Sequence, residues 1–150
     1  MYYIKEFEEK YNNLVNDFII SIYVEEFGHE TSRKELNNQD NSIFINKNGN
    51  LWIAFNNKDE IIGTIAVINH SDNNIELKKF YVRQDYRGKG VSKKLYNTAL
   101  DFCKKKSFNR IFLWTYEKLD KAISFYLKAG FVEIQKERKE SGARCFELFL

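Results

Sequence analysis

Six consecutive residues, Arg87-Gly88-Lys89-Gly90-Val91-Ser92, place two glycines and two cations between an apolar, alternating segment and a helical one. Glycine admits positive φ and lets the backbone approach a ligand closely. The first turn of a following helix presents unpaired N–H groups and a partial positive charge. Such a strand–loop–helix junction is a cradle for a phosphate or diphosphate, and Arg87 and Lys89 add full positive charge. The spacing is neither that of a nucleotide-hydrolysing P-loop nor that of a dinucleotide fingerprint with its acidic residue further on. Other chemistries find little support. Cys103 and Cys145 have no metal-binding spacing, His29 and His70 are isolated, and no serine sits in a nucleophile elbow. His70, in a turn, is expected to face solvent.

The elements that must hold this loop follow from hydrophobic periodicity. A short edge strand is expected over 2–5. A helix is expected over 7–27, with Phe7, Tyr11, Leu14, Phe18 and Ile22 on one face and Gly28 ending it. A second short helix is expected over 31–38. The period then changes to short apolar runs over 51–55, 61–68 and 75–82, separated by Asn- and Asp-rich turns, an antiparallel meander of three strands. Beyond the glycine loop come a helix over 91–106, a strand over 111–115, a helix over 119–129 closed by Gly130, and strands over 131–136 and 144–149. The fold class is α/β in the α+β sense: a mixed, mostly antiparallel central sheet with helices on both faces. Trp52 and Trp114 are expected in the core, with Trp52 bordering an acceptor pocket as the other option.

With 150 residues, 43% of them hydrophobic, the chain is expected to form one domain over 1–150. No apolar run reaches the ~20 residues of a membrane helix. No secretory signal is visible, so a cytoplasmic location is expected. A net charge of +3 suits an anionic cofactor and does not by itself argue for nucleic acid, which is not expected as a partner.

The loop resembles motif A of the GCN5-related N-acetyltransferase (GNAT) family: Arg or Gln, two residues, Gly, one residue, then Gly or Ala. Residues 75–82 resemble that family's fourth strand. Ala122-Ile123-Ser124-Phe125-Tyr126-Leu127-Lys128-Ala129-Gly130-Phe131 resembles its segment with Ala, Tyr, Lys and a terminal Gly-Phe. The resemblance runs from about Ile61 to Phe131. Three positions depart from the family pattern: Ser92 stands for Gly or Ala, Gln84 for Pro, and Leu119 for Asn.

The resemblance implies acetyl-CoA as co-substrate, lying between strands 75–82 and 111–115, with no metal. Backbone groups near Tyr81, Val82 and Arg83 would pair with pantetheine amides. The amides of Arg87, Gly88, Lys89, Gly90, Val91 and Ser92 would hold the diphosphate. Glu76 would be the base that takes the acceptor's proton; a solvated carboxylate, or one paired with Lys78, is the other reading. Tyr126, seven residues after Leu119 and three after Ile123 on the inward helix face, would be the acid for the departing thiolate; a core tyrosine is the other reading. Lys128 is either a phosphate contact or a solvated lysine. The expected activity is acetyl transfer to a primary amine of a small molecule or peptide by direct attack in a ternary complex. A non-catalytic acyl-CoA-binding module, and an acetyltransferase acting on a protein N-terminus or aminoacyl-tRNA, are the alternatives. Exchange of the last two strands would give a homodimer.

Overall fold

The computed structural model describes residues 1–28, 38–136 and 142–150. Seven strands form one sheet in the order β1-β2-β3-β4-β5-β7-β6. They are β1 (Tyr2–Glu6), β2 (Asn50–Asn56), β3 (Ile61–Asn69), β4 (Ile75–Val82), β5 (Arg110–Tyr116), β6 (Val132–Ile134) and β7 (Ala143–Phe149). Every neighbouring pair is antiparallel except β4 with β5. The expected edge strand and meander are present, and β4 has the expected bounds.

The helices are α1 (Asn12–Phe27), α2 (Ser42–Asn46), α3 (Val91–Lys105) and α4 (Asp120–Lys128). One side of the sheet packs Val15, Phe18, Ile19 and Ile22 of α1, with Phe44 of α2, against Leu51, Ile53, Phe55, Ala66 and Ile68. The other side packs Val91, Leu95, Tyr96 and Ala99 of α3 and Ile123 and Tyr126 of α4 against Ile62, Ile65, Val67, Ile75 and Leu77. Helices therefore lie on both faces, as expected. Two expectations for the first helix are corrected. Phe7 is buried but not helical, because its N–H donates to the Leu51 carbonyl at 2.8 Å. The helix starts five residues later, so its buried stripe begins at Val15, and Leu14 is 52% exposed. Gly28 ends α1 as expected, with φ 65° and its N–H on the Val24 carbonyl. The helix expected over 31–38 lies, apart from Asn38, outside the described residues, as does His29. α2 was not expected.

The sheet is split where β4 and β5 part. Their parallel pairing covers only Ile75 with Ile111 and Glu76 with Phe112. Beyond that point β5 follows β7 to Tyr116, while β4 turns away with β3. A bulge causes the turn. Register slips between Thr64 and Ala66, so two residues of β4 oppose Ile65 alone. Lys79 sits in this bulge at φ 55°, a left-handed conformation that costs a non-glycine residue roughly 1 kcal/mol. The buried Thr64 hydroxyl donates to the Lys79 carbonyl at 2.7 Å and locks the bend.

Gly63 of β3 is the cross-strand partner of Val82. A Cβ there would stand 2.8 Å from Leu95 Cδ1 and 3.1 Å from the Tyr81 carbonyl oxygen. Gly63→Ala should therefore cost about 1–3 kcal/mol of stability through overpacking, read as a lower midpoint in urea unfolding at unchanged slope.

Candidate active site

The gap between β4 and β5 is a cleft of about 730 Å³ that reaches from Arg87 and Ser92 at the start of α3 to Leu119, Phe125 and Tyr126 at α4. A smaller pocket of about 210 Å³ continues it toward Tyr23, Glu76, Lys78, Trp114 and Tyr116. Tyr23, Lys78, Lys79, Tyr81 and Trp114 line both spaces, so the two adjoin at the split.

The glycine loop closes one end. Gly88 and Gly90 adopt φ 75° and 86°, and nothing lies within 4 Å of where a Cβ would stand at either. Gly90 is the N-cap of α3, with no side-chain cap. The first intrahelical donor to close on it is Lys94 N–H, on the Gly90 carbonyl at 3.0 Å. The N–H groups of Val91, Ser92 and Lys93 therefore lack intrahelical acceptors. Ser92 lines the cleft at the second helical position, where N–H direction and helix dipole both favour an anion. These backbone donors fit the diphosphate of a coenzyme A.

Arg87 anchors the loop more than it charges it. Its Nε donates to the Val82 carbonyl at 3.0 Å, and its Nη2 pairs with Glu26 of α1. Lys89 is exposed, with Nζ 5.4 Å from the Tyr86 ring centroid. The Arg83 guanidinium clamps Asp85 through two bonds of 2.8 and 3.0 Å, and each partner shifts the other's pKa: Asp85 down and Arg83 up.

Strand alternation decides which backbone groups reach the cleft. Arg83 N–H donates to the Ile62 carbonyl at 2.8 Å. That pairing turns the main chain of Tyr81 and Arg83 toward β3 and the N–H and C=O of Val82 toward the split. Of the three residues expected to meet pantetheine, Val82 is therefore the one with main-chain groups on the cleft edge. The Tyr81 side chain faces α1 instead, its hydroxyl 3.2 Å from that of Tyr23. Val91 is a core residue, and Lys128 is exposed in the last turn of α4, outside the cleft lining.

Glu76 is 7% exposed, and His70 Nε2 lies 2.7 Å from its Oε1. This corrects one expectation: the carboxylate's partner is His70 rather than Lys78. His70 itself is exposed in the turn after β3, as expected, and reaches Glu76 from there. A carboxylate only accepts, so the imidazole N–H donates to it. Glu76 points into the smaller pocket, while its neighbours Ile75 and Leu77 point into the opposite core. Tyr126 sits in the cleft wall with Phe131, Phe125 and Phe80 at centroid distances of 5.6, 5.9 and 6.3 Å. Burial raises the pKa of its hydroxyl above the ordinary tyrosine value, so it remains a proton donor at neutral pH. Leu119 caps α4 without a side-chain bond and lines the cleft. Trp52 is core, edge-on to Phe102 at 5.2 Å. Trp114, expected in the core, lines both spaces. Among the described residues no cluster of His, Cys, Asp and Glu could hold a metal ion, and no helix is long and apolar enough to cross a membrane.

A family model described as the acetyltransferase (GNAT) family matches residues 15–131. The chain belongs to that family. An acetyltransferase of GNAT family from Staphylococcus aureus Mu50 superposes with a TM-score of 0.86 at 30% identity, covering 99% of each chain. N-acetyltransferase 8F1 of Rattus norvegicus is 26% identical over 111 residues, 71% of this chain and 47% of that protein. A PaiA N-acetyltransferase from Thermoplasma acidophilum, solved in complex with coenzyme A, shares the fold with a TM-score of 0.78 at 20% identity, covering 100% of this chain and 99% of that one. The chain spans about half the length of the curated relatives it matches.

Proposed function

We propose that the chain transfers an acetyl group from acetyl-CoA to a primary amine by direct attack in a ternary complex. The observation that carries this reading is the split between β4 and β5, where a cleft lined at one end by the start of α3 adjoins a pocket lined by Glu76. The thioester supplies an activated acyl carbon. The chain's own residues position the partners and move protons. The free N–H groups of Val91 and Ser92 hold the diphosphate, and Val82 offers its main-chain N–H to the pantetheine arm, its carbonyl being held by Arg87. Glu76, oriented by His70, takes a proton from the acceptor amine. The amide C–N bond forms as the C–S bond breaks, and the Tyr126 hydroxyl gives its proton to the departing thiolate.

Thiol release with a panel of amines tests this directly. The protein's own thiols are a small background: Cys103 and Cys145 are buried, and burial pushes Cys103 up to about 12. Amine-dependent release supports the reading. Binding of CoA without release from any amine would instead make the chain a binding module. Glu76→Gln should lower kcat/KM for the amine by roughly 10- to 100-fold at pH 7. The deficit should shrink as pH rises toward the amine's own pKa, where solvent has already removed the proton. A pH-independent deficit would assign Glu76 to structure alone.

A further inference from the structure

Lys78 and Lys79 are successive residues of β4, and in a regular strand they would point to opposite faces of the sheet. The left-handed conformation of Lys79 breaks that alternation, and both lysines line the smaller pocket beside Glu76. The arrangement is held from outside the strand. Lys79 Nζ donates to Gln39 Oε1 at 3.0 Å, and the Gln39 carbonyl accepts the side-chain amides of Asn12 and Asn16 of α1 at 2.9 Å each. Gln39 is neutral, so Lys79 is positioned without being neutralised. Among the described residues neither lysine pairs with a carboxylate, and the pocket's carboxylate, Glu76, already has His70. Burial and the neighbouring Lys78 lower Lys79 to about 8, a penalty on its charge that an incoming anion would offset. These cations are not placed for the CoA diphosphate. Lys79 lies three residues, roughly 10 Å of strand, before Val82, and the cradle lies further on still.

We propose that the acceptor is a small amine that also carries a carboxylate, an amino acid-like zwitterion whose amine faces Glu76 and whose carboxylate is held by Lys78 and Lys79. This rests on the acetyltransferase reading above. Trp114 and Tyr116 supply aromatic walls on the other side of the pocket, which suits an acceptor with an apolar or aromatic side chain.

The test compares matched amines with and without the carboxylate: L-phenylalanine against phenethylamine, and L-tyrosine against tyramine. The carboxylated member of each pair should give at least tenfold higher kcat/KM. Lys78→Gln and Lys79→Gln should erase most of that preference, through the KM for the amine. Lys79→Arg, which keeps the cation, should retain more of the preference than Lys79→Gln. Equal or better turnover of the decarboxylated amines, with CoA released normally, would overturn this inference and leave the acetyltransferase reading intact. Absence of acetyl-CoA binding, or binding with no thiol release from any amine, would overturn both.

Discussion

Tyr126→Phe should lower kcat by about 100-fold, within the range a positioned general acid contributes, while the dissociation constant for acetyl-CoA stays within about twofold. The substitution deletes one oxygen and leaves the ring against Phe131, Phe125 and Phe80. Packing and cleft shape are kept, so a loss confined to turnover isolates the proton. Burial raises the hydroxyl's pKa, so the wild-type donor stays protonated at every pH below the ordinary tyrosine range. The ratio of wild-type to variant rates should therefore be flat across neutral pH. Steady-state kinetics with calorimetry checks both halves. Unaltered turnover would make Tyr126 a core residue that happens to line the cleft.

Ser92→Asp should separate binding from stability by giving them opposite signs. Ser92 is the second helical residue of α3, where a carboxylate interacts favourably with the helix dipole. The fold should be unchanged or stabilised by a few tenths of a kcal/mol. The same carboxylate would face the diphosphate. Like charges about 4 Å apart repel by roughly 1–4 kcal/mol between the bulk-water and near-surface limits, a loss of about 5- to 1000-fold in CoA affinity. A melting temperature at or above wild type together with weak CoA binding is the expected pair of results. Undiminished affinity would show that the diphosphate lies elsewhere.

The parts of the molecule legible in the sequence are those set by local chemistry. Gly88 and Gly90 mark the loop because left-handed φ favours glycine there. β4 is legible from its apolar alternation between turn clusters, and α3 from Val91, Leu95 and Ala99 at helical spacing. What was missed depends on geometry that leaves no local mark. The bulge at Lys79 is written Lys-Lys-Phe, with no glycine to signal it, yet it opens the cleft and turns two lysines into one pocket. The His70–Glu76 pair forms across the β3–β4 hairpin, where Ile68 is the direct partner of Glu76 and His70 reaches it diagonally; cross-strand register was needed to see it. On α1 the expected Phe18 and Ile22 are buried and Leu14 alone faces out; Phe7 joins the same core from outside the helix, its N–H held by the Leu51 carbonyl. α2 spells Ser-Ile-Phe-Ile-Asn, a composition that favours strand. Its helical form is set by what it packs on, Phe44 in the core and its carbonyl taking Gly49 N–H at 2.7 Å.

A crystal structure with CoA bound tests the central claim most directly. The account predicts diphosphate oxygens within hydrogen-bonding distance of the Val91 and Ser92 N–H groups, and the pantetheine arm running along Val82 with its sulfur toward Tyr126. A CoA seated away from the start of α3, or a fully bound CoA that leaves the split between β4 and β5 empty, would contradict it.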